Sequence, residues 1–391
     1  MTHKQSHFTR YDLIILIMCF MAVSLLAIYN AQQLQQYGGS NFVMKQFVWY
    51  AIGIMFIVLI QFFDLDQLKR ASLYIYIASV IVLIILFISP ASIAEAKNGA
   101  KSWFNPKGLP LSIQPSEFAK IGLILYLSTI ISNHKEKFVD STIKSDILLL
   151  TKIIVITLIP IAFIAQEPDF GSSMVYVFIA GMFVFLSGIN WKIIGTLVVG
   201  GVTVIGGALW IIISFPDMSQ HVLGLDQYQI DRVLNWFDPD HQSSDTFQFD
   251  RSLMALGSGQ LFGKGLGPSE VYYPEAHSDF IYSMIGESFG FVGSALVVFL
   301  YFILLYRLLT HGLRSYEHSI FGSFICFGVL SFIFIHAFQN IGMIIGIMPI
   351  TGIPLLLLSY GGSSVMSTMI GIGLVYRVAV ENAIQDDYLF K

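Results

Sequence analysis

Residues 11–31, YDLIILIMCFMAVSLLAIYNA, carry a single formal charge, that of Asp12. A run of this length matches the roughly 20 apolar residues that an α-helix needs to cross a bilayer's hydrocarbon core. It is too long for the core of a signal peptide and has no small-residue cleavage site, so we read it as a retained first helix. Comparable runs follow at 46–63, 71–89, 115–132, 148–165, 171–187, 193–215, 279–306, 318–345 and 354–376. The expected fold is therefore an all-α integral membrane protein of about ten transmembrane helices. The spacing leaves one long connection, between the seventh and eighth helices. Composition agrees: 55% of residues are hydrophobic and only 12% charged, with a mean hydropathy of +0.72, whereas soluble domains are about one-quarter charged.

Orientation follows from the basic residues of the short loops. With the N-terminus inside, Lys4, Arg10, Lys69, Arg70, Lys135, Lys137, Lys144, Lys152, Lys192, Arg307, Arg314, Arg377 and Lys391 fall on the inner side. The short outer loops hold only Lys45, Lys97, Lys101 and Lys107. The excess places both termini in the cytoplasm and makes residues 1–391 a single polytopic membrane domain. Residues 90–114 are then an outer re-entrant or interfacial loop, and 216–278 a large outer loop. Cys19 and Cys326 lie in separate apolar helices, so neither a disulfide framework nor a metal-type cysteine spacing is present. The net charge of -4 gives no basis for a nucleic-acid partner.

The unusual residues gather in the outer segments. Where the long loop re-enters the membrane, Pro274–Gly290 reads PEAHSDFIYSMIGESFG and places Asp279 at the boundary. Taking a carboxylate out of water is costly, so Asp279 is expected to be paired, hydrated by a cavity or used in chemistry. A helix cap or a structural ion pair is the plainer alternative. In QPSEFAK (114–120), Pro115 suits a first helical turn, Glu117 is favoured there by the helix dipole, and Lys120 shares its face at i, i+3. That pair is equally consistent with simple self-neutralisation. QEPDFGSS (166–173) sets Glu167 and Asp169 beside an apolar segment, where they want a cationic partner such as Lys120.

Loop 90–114 mixes Lys101 with Trp103 and Phe104, a set suited either to interfacial anchoring or to an anionic ligand. DRVLNWFDPD (231–240) offers Arg232, whose planar fork can hold a phosphate oxygen pair. QNIGMIIGIMPITGIPLLLLSYGGSS (339–364) puts Gln339 and Asn340 inside an apolar helix and follows them with a Pro-Gly-Pro broken segment and a small-residue cluster that includes Ser363. Buried amides need partners, and small residues permit close approach. GSGQLFGKGLG (257–267) is not a phosphate loop, because Gly265 stands where a Walker motif needs Ser or Thr after its lysine.

Taken in order, the motifs from Gly99 to Ser364 resemble the SEDS family (shape, elongation, division and sporulation proteins), and the NIGM and MPITGIPL stretches resemble its elongation branch (RodA-like) more than its division branch (FtsW-like). The sequence departs from the usual pattern at QEPDFG, at HSDF and at Leu356, where a proline is common. None of these changes touches a charged position assigned to the site. The resemblance implies an inverting peptidoglycan glycosyltransferase of the bacterial cytoplasmic membrane, working on the outer face in cell elongation and shape maintenance. It would join lipid II units by a β-1,4 bond and release undecaprenyl pyrophosphate. Asp279 would be the general base, and Arg232, Lys120, Glu117, Asp169, Lys101, Trp103, Gln339 and Ser363 would bind substrate. No cofactor is assigned, and Mg or Mn at the pyrophosphate stays an open expectation. The implied partners are lipid II, membrane lipids and a class B penicillin-binding protein transpeptidase. A flippase that moves lipid II between leaflets is the competing class, and a silent scaffold the third; the outer clustering of polar groups disfavours a midplane transport site.

Overall fold

The computed structural model describes residues 3–389, except 35–39, 95–100, 107–111, 139, 141, 168, 226, 238–243 and 268–270. Lys97, Lys107, Pro168 and Lys391 lie outside the described residues. Ten helices correspond one to one with the ten apolar runs: α1 (His3–Gln32), α2 (Phe42–Ile60), α3 (Leu65–Ile88), α4 (Pro115–Lys137), α5 (Ile143–Ile164), α6 (Phe170–Leu186) and α7 (Trp191–Ser214), then α11 (Ile281–Ser315), α12 (Ile320–Ile344) and α13 (Gly362–Leu389). Between α7 and α11, the long connection contains three shorter helices, α8 (Pro216–Leu223), α9 (Gln227–Phe237) and α10 (Ser244–Ser258). Eight of the ten are long and apolar enough to span a membrane on those criteria alone. α6 falls short in length, and α4 carries Glu117, Lys120 and three basic residues in its last turn.

Burial sorts the helices into core and rim. α4, α12 and α13 form the centre: α12 packs on α4, α6, α11 and α13, while α13 also packs on α2. α7 lies at the rim, packs on α8 and α9, and exposes Val198, Val199, Val202, Val204 and Ile205, as a lipid-facing surface should. Because successive helices alternate in direction, the connections after α1, α3, α5, α7 and α12 all gather at one end of the bundle, opposite the N-terminus of α1.

Two irregular segments shape that end. α11 breaks at Gly290, whose φ of 68° and ψ of -164° suit glycine, and the glycine-rich stretch 257–267 lies against the break. Lys264 N–H donates to the Glu287 carbonyl (2.9 Å) and Gly265 N–H to Ser288 (2.9 Å). In return, Phe291 and Val292 donate to the carbonyls of Gln260 (2.8 Å) and Leu261 (3.1 Å). The backbones approach so closely that a Cβ on Gly263 would sit 2.2 Å from the Ser288 carbonyl oxygen. The glycine pattern of this loop thus repairs a helix break.

The second irregular segment runs from α12 to α13. The sequence suggests a helix over 354–376, but α13 begins at Gly362, and residues 351–361 cross the protein without helical geometry. Such backbone survives in a membrane protein only where its polar groups find protein partners. Here each carbonyl from Ile353 to Ser359 is accounted for. Asn340, His336, Tyr301, Tyr50, Ser24 and Gln46 side chains take Ile353, Pro354, Leu356, Leu357, Leu358 and Ser359 in turn. Leu355 accepts from the backbone N–H groups of Leu358 and Ser359. We call this segment the strap.

Candidate functional site

α4 enters through Gln114 and Pro115, with Pro115 in its first turn, so Glu117 arrives within that turn and Lys120 one turn later on the same face. The packed centre takes both out of solvent, with side-chain exposures of 3% and 1%, and Lys120 Nζ donates to Glu117 Oε1 at 2.6 Å. Lys120 therefore pairs with Glu117 rather than with the acids of the 166–173 turn. Beside it also lie His336, with Nζ to Nε2 at 3.3 Å, and the Phe332 ring, 5.6 Å to the centroid. The second oxygen of Glu117 faces the Ser367 hydroxyl at 3.5 Å.

Asp169 caps α6. Its carboxylate accepts from Ser172 N–H (2.9 Å) and Ser172 Oγ (2.7 Å), and from Gln114 Nε2 (3.1 Å), which links α6 to the entry of α4. A helix N-terminus is a favourable seat for this charge. Glu167, two residues earlier, is buried; burial pushes its carboxyl up to about 7, with Asp169 adding to the rise and Lys101 opposing it.

Asp279 sits just before α11, which starts at Ile281, and its backbone carbonyl accepts from Asn340 Nδ2 (2.7 Å). Asn340 Nδ2 also donates to Ile353 (2.8 Å), so one buried amide ties the Asp279 backbone to the strap. Gly352, at φ 69°, lies alongside: a Cβ there would be 3.4 Å from Asp279 Oδ2. Burial pushes the Asp279 carboxyl up to about 7, Glu275 and Asp169 add to the rise, and Arg232 opposes it. A carboxyl poised there holds substantial basic form at neutral pH and can accept a proton with useful driving force. Arg232 reaches over from α9, with Nη1 3.4 Å from the Thr351 carbonyl.

These groups line one cavity of about 580 Å³ at the end of the bundle where the long connection lies. Asp279, Arg232, Lys120, Glu117, Asp169 and Trp103 all face it. Three other sequence candidates are placed elsewhere. Lys101 Nζ donates to the carbonyls of Phe87 (3.0 Å) and Ser89, closing the end of α3. Gln339 is buried and donates to Pro349 (3.1 Å). Ser363 Oγ accepts from Gln114 N–H (2.8 Å), joining α13 to α4. The sequence reading missed His336, Gly352, Trp49 and Tyr360, which also line the cavity. His336 had a legible signal, as an ionisable residue within an apolar helix. Among the described residues there is no group of three or more His, Cys, Asp or Glu arranged to hold a metal ion.

The arrangement sets a poised carboxylate, two cations and an aromatic wall in one chamber. That combination suits an anionic, sugar-bearing or lipid-linked ligand and proton abstraction from a hydroxyl. Comparison with known proteins gives the same direction. The model of a family described as cell cycle proteins, FTSW_RODA_SPOVE, matches residues 5–384. The "Probable peptidoglycan glycosyltransferase FtsW" of Wigglesworthia glossinidia brevipalpis is 32% identical over 343 residues, covering 86% of this chain and 83% of its own. The "Peptidoglycan glycosyltransferase RodA" of Treponema pallidum is 30% identical, covering 94% of this chain and 96% of its own. Among solved structures, a chain described under the structural coordination of polymerization and crosslinking by a peptidoglycan synthase complex superposes with a TM-score of 0.75 at 25% identity, covering 95% of this chain and 98% of that one. The rod shape determining protein RodA of Thermus thermophilus superposes with a TM-score of 0.66 at 25% identity, over 95% of this chain and 97% of that one.

Proposed function

This chain belongs to the FtsW/RodA/SpoVE family, and on that premise we propose that it is a peptidoglycan glycosyltransferase that polymerises lipid II in the bacterial cytoplasmic membrane. The observation that carries the reading is the shared cavity in which Asp279, Arg232 and the Glu117–Lys120 pair meet. Relatives named peptidoglycan glycosyltransferase FtsW and RodA support the chemistry. By the Lys and Arg asymmetry the cavity end faces outward and both termini face the cytoplasm.

In this mechanism Asp279 takes the proton of the acceptor's GlcNAc 4-hydroxyl. The oxygen attacks the anomeric carbon of the donor's MurNAc as the bond to pyrophosphate breaks, and the α-linked donor yields a β-1,4 link with inversion. No covalent sugar–enzyme intermediate is needed. The leaving pyrophosphate requires charge stabilisation, which falls to Arg232 and Lys120, with Glu117 holding Lys120 in place. Trp103 supplies an aromatic face to the ligand. We assign the chain to elongation and cell shape on its NIGM and MPITGIPL motifs. Its similarity to a chain of a peptidoglycan synthase complex supports a class B penicillin-binding protein as the crosslinking partner.

The test is direct. The purified chain, alone and with its transpeptidase, is incubated with labelled lipid II and the products are resolved by gel electrophoresis. A ladder of glycan polymers is expected. Lipid II left unpolymerised in both arms, with transfer between leaflets in vesicles, would replace this reading with a flippase.

A further inference from the structure

The His336 ring touches both the Glu117–Lys120 ion pair, through Lys120, and the strap. It lies on α12, fully within the core, with Nδ1 3.1 Å from the Pro354 carbonyl oxygen and Nε2 3.3 Å from Lys120 Nζ. These two contacts determine its proton. A carbonyl oxygen can only accept, so Nδ1 carries the hydrogen. An ammonium can only donate, so Nε2 must present its lone pair, and the ring is neutral. A doubly protonated ring would set two donors against each other at 3.3 Å.

The consequence falls on Lys120. An ammonium has three donors without a fixed fork, so its direction is set by whatever accepts from it. Glu117 Oε1 takes one N–H at 2.6 Å and His336 Nε2 takes a second. The third is left for the cavity that Lys120 lines. The same face of α12 carries the rest of the scaffold at i, i+4 spacing. Phe332 lies under the Lys120 ammonium and against the His336 ring, with ring centroids 5.0 Å apart, and Asn340 holds the Asp279 backbone.

Resting on the polymerase reading above, we propose that His336 is a positioning residue: as the Nδ1–H tautomer it accepts a hydrogen bond from Lys120 and, held by the Pro354 carbonyl, aims the ammonium at the pyrophosphate of the bound donor. Because that pyrophosphate gains charge as it leaves, the loss should appear in kcat more than in KM.

Three substitutions separate this role from simple anchoring of the strap. His336→Gln places an amide oxygen near the position of Nε2 and keeps an acceptor for Lys120. His336→Asn keeps a donor near Nδ1 for Pro354 but withdraws from Lys120. His336→Leu removes both. With lipid II polymerisation as the readout, and melting temperature measured alongside, His336→Leu and His336→Asn should lose roughly 10- to 100-fold in kcat, as for a hydrogen bond to a charged group. His336→Gln should stay within about 3-fold. The reverse order, with asparagine active and glutamine impaired, would make His336 a strap anchor and overturn the proposal, as would wild-type turnover in all three. A wild-type chain that makes no polymer would instead defeat the polymerase reading. The tautomer is tested independently of any variant's folding by nitrogen NMR of the wild-type chain with labelled histidine. A protonated Nδ1 and bare Nε2 at His336 are expected, and a protonated Nε2 would refute the assignment.

Discussion

Removing the charge at Lys120 should be far more damaging than removing it at Glu117, and the geometry says why. In Lys120→Met the Glu117 carboxylate, 3% exposed, keeps among the described residues only the Ser367 hydroxyl at 3.5 Å, and His336 Nε2 loses its donor. An uncompensated buried charge costs about 3–5 kcal/mol. In Glu117→Gln the amide oxygen still accepts from Lys120, and His336 accepts a second N–H, so the ammonium is undercompensated but not abandoned; about 1–3 kcal/mol is expected. The double substitution removes both charges and should cost less than Lys120→Met alone, by about 1 kcal/mol, which is about 3 kcal/mol less than the sum of the singles. The assay is a double-mutant cycle on melting temperature in detergent, with polymer yield measured on the same preparations. The ranking predicted is Lys120→Met least stable, the double variant above it and Glu117→Gln closest to wild type. Strictly additive losses, or Glu117→Gln falling below Lys120→Met, would refute the pairing argument.

Gly352→Ala forces a side chain onto φ 69°; about 1–2 kcal/mol of stability should go, and turnover should fall by ~10-fold as the backbone beside Asp279 shifts to relieve that strain, measured by thermal melting and initial rates. Arg232→Lys keeps the charge and loses the planar fork, so activity should drop substantially with folding unchanged, and wild-type rates at limiting and saturating lipid II would remove Arg232 from the site. For pH, the active form of Asp279 is the carboxylate, so polymerisation should rise through about 7 and fade on the acid side. The same raised pKa means that between 3.8 and about 7 the native state holds a proton the unfolded chain has released. Stability from this group therefore falls as pH rises through that window, and Asp279→Asn should flatten that part of the stability profile.

Much of the fold was legible because hydropathy reports what lipid demands of a helix. Each of the ten runs has its helix, and α3 begins at Leu65, earlier than the run at 71, because Asp64 and Gln67 form a capping box that hydropathy does not see. Elsewhere apolar composition misled. Pro354–Leu358 is as apolar as a helix but lies in the strap, where Leu357 stands at φ 68° and every carbonyl but that of Leu355 is taken by a side chain from one of four helices. Those partners are distant in sequence, as Tyr50 is from Leu357. The helices of the long connection were hidden because they are short and only partly apolar. In the site, charge beside an apolar segment pointed to Asp279, Glu117, Lys120 and Asp169, and a loop guanidinium able to hold phosphate pointed to Arg232; the fold brings all five to one cavity. Lys101 carries the same signal but is spent on the carbonyls at the end of α3, a use that only the fold reveals.

The central claim is that the Asp279 carboxylate is the base for glycosyl transfer. Its most direct test is the initial rate of lipid II polymerisation by Asp279→Asn against wild type at one pH near 7.5 or above, with expression and melting temperature matched. Asparagine keeps the volume beside Gly352 and leaves the backbone carbonyl for Asn340, but it cannot take a proton. A fall of at least about 10²-fold in a folded variant is predicted, the size expected for loss of general base catalysis. Polymerisation by Asp279→Asn at near the wild-type rate would contradict the account and move the search for the base to Glu117 or Asp169, which line the same cavity.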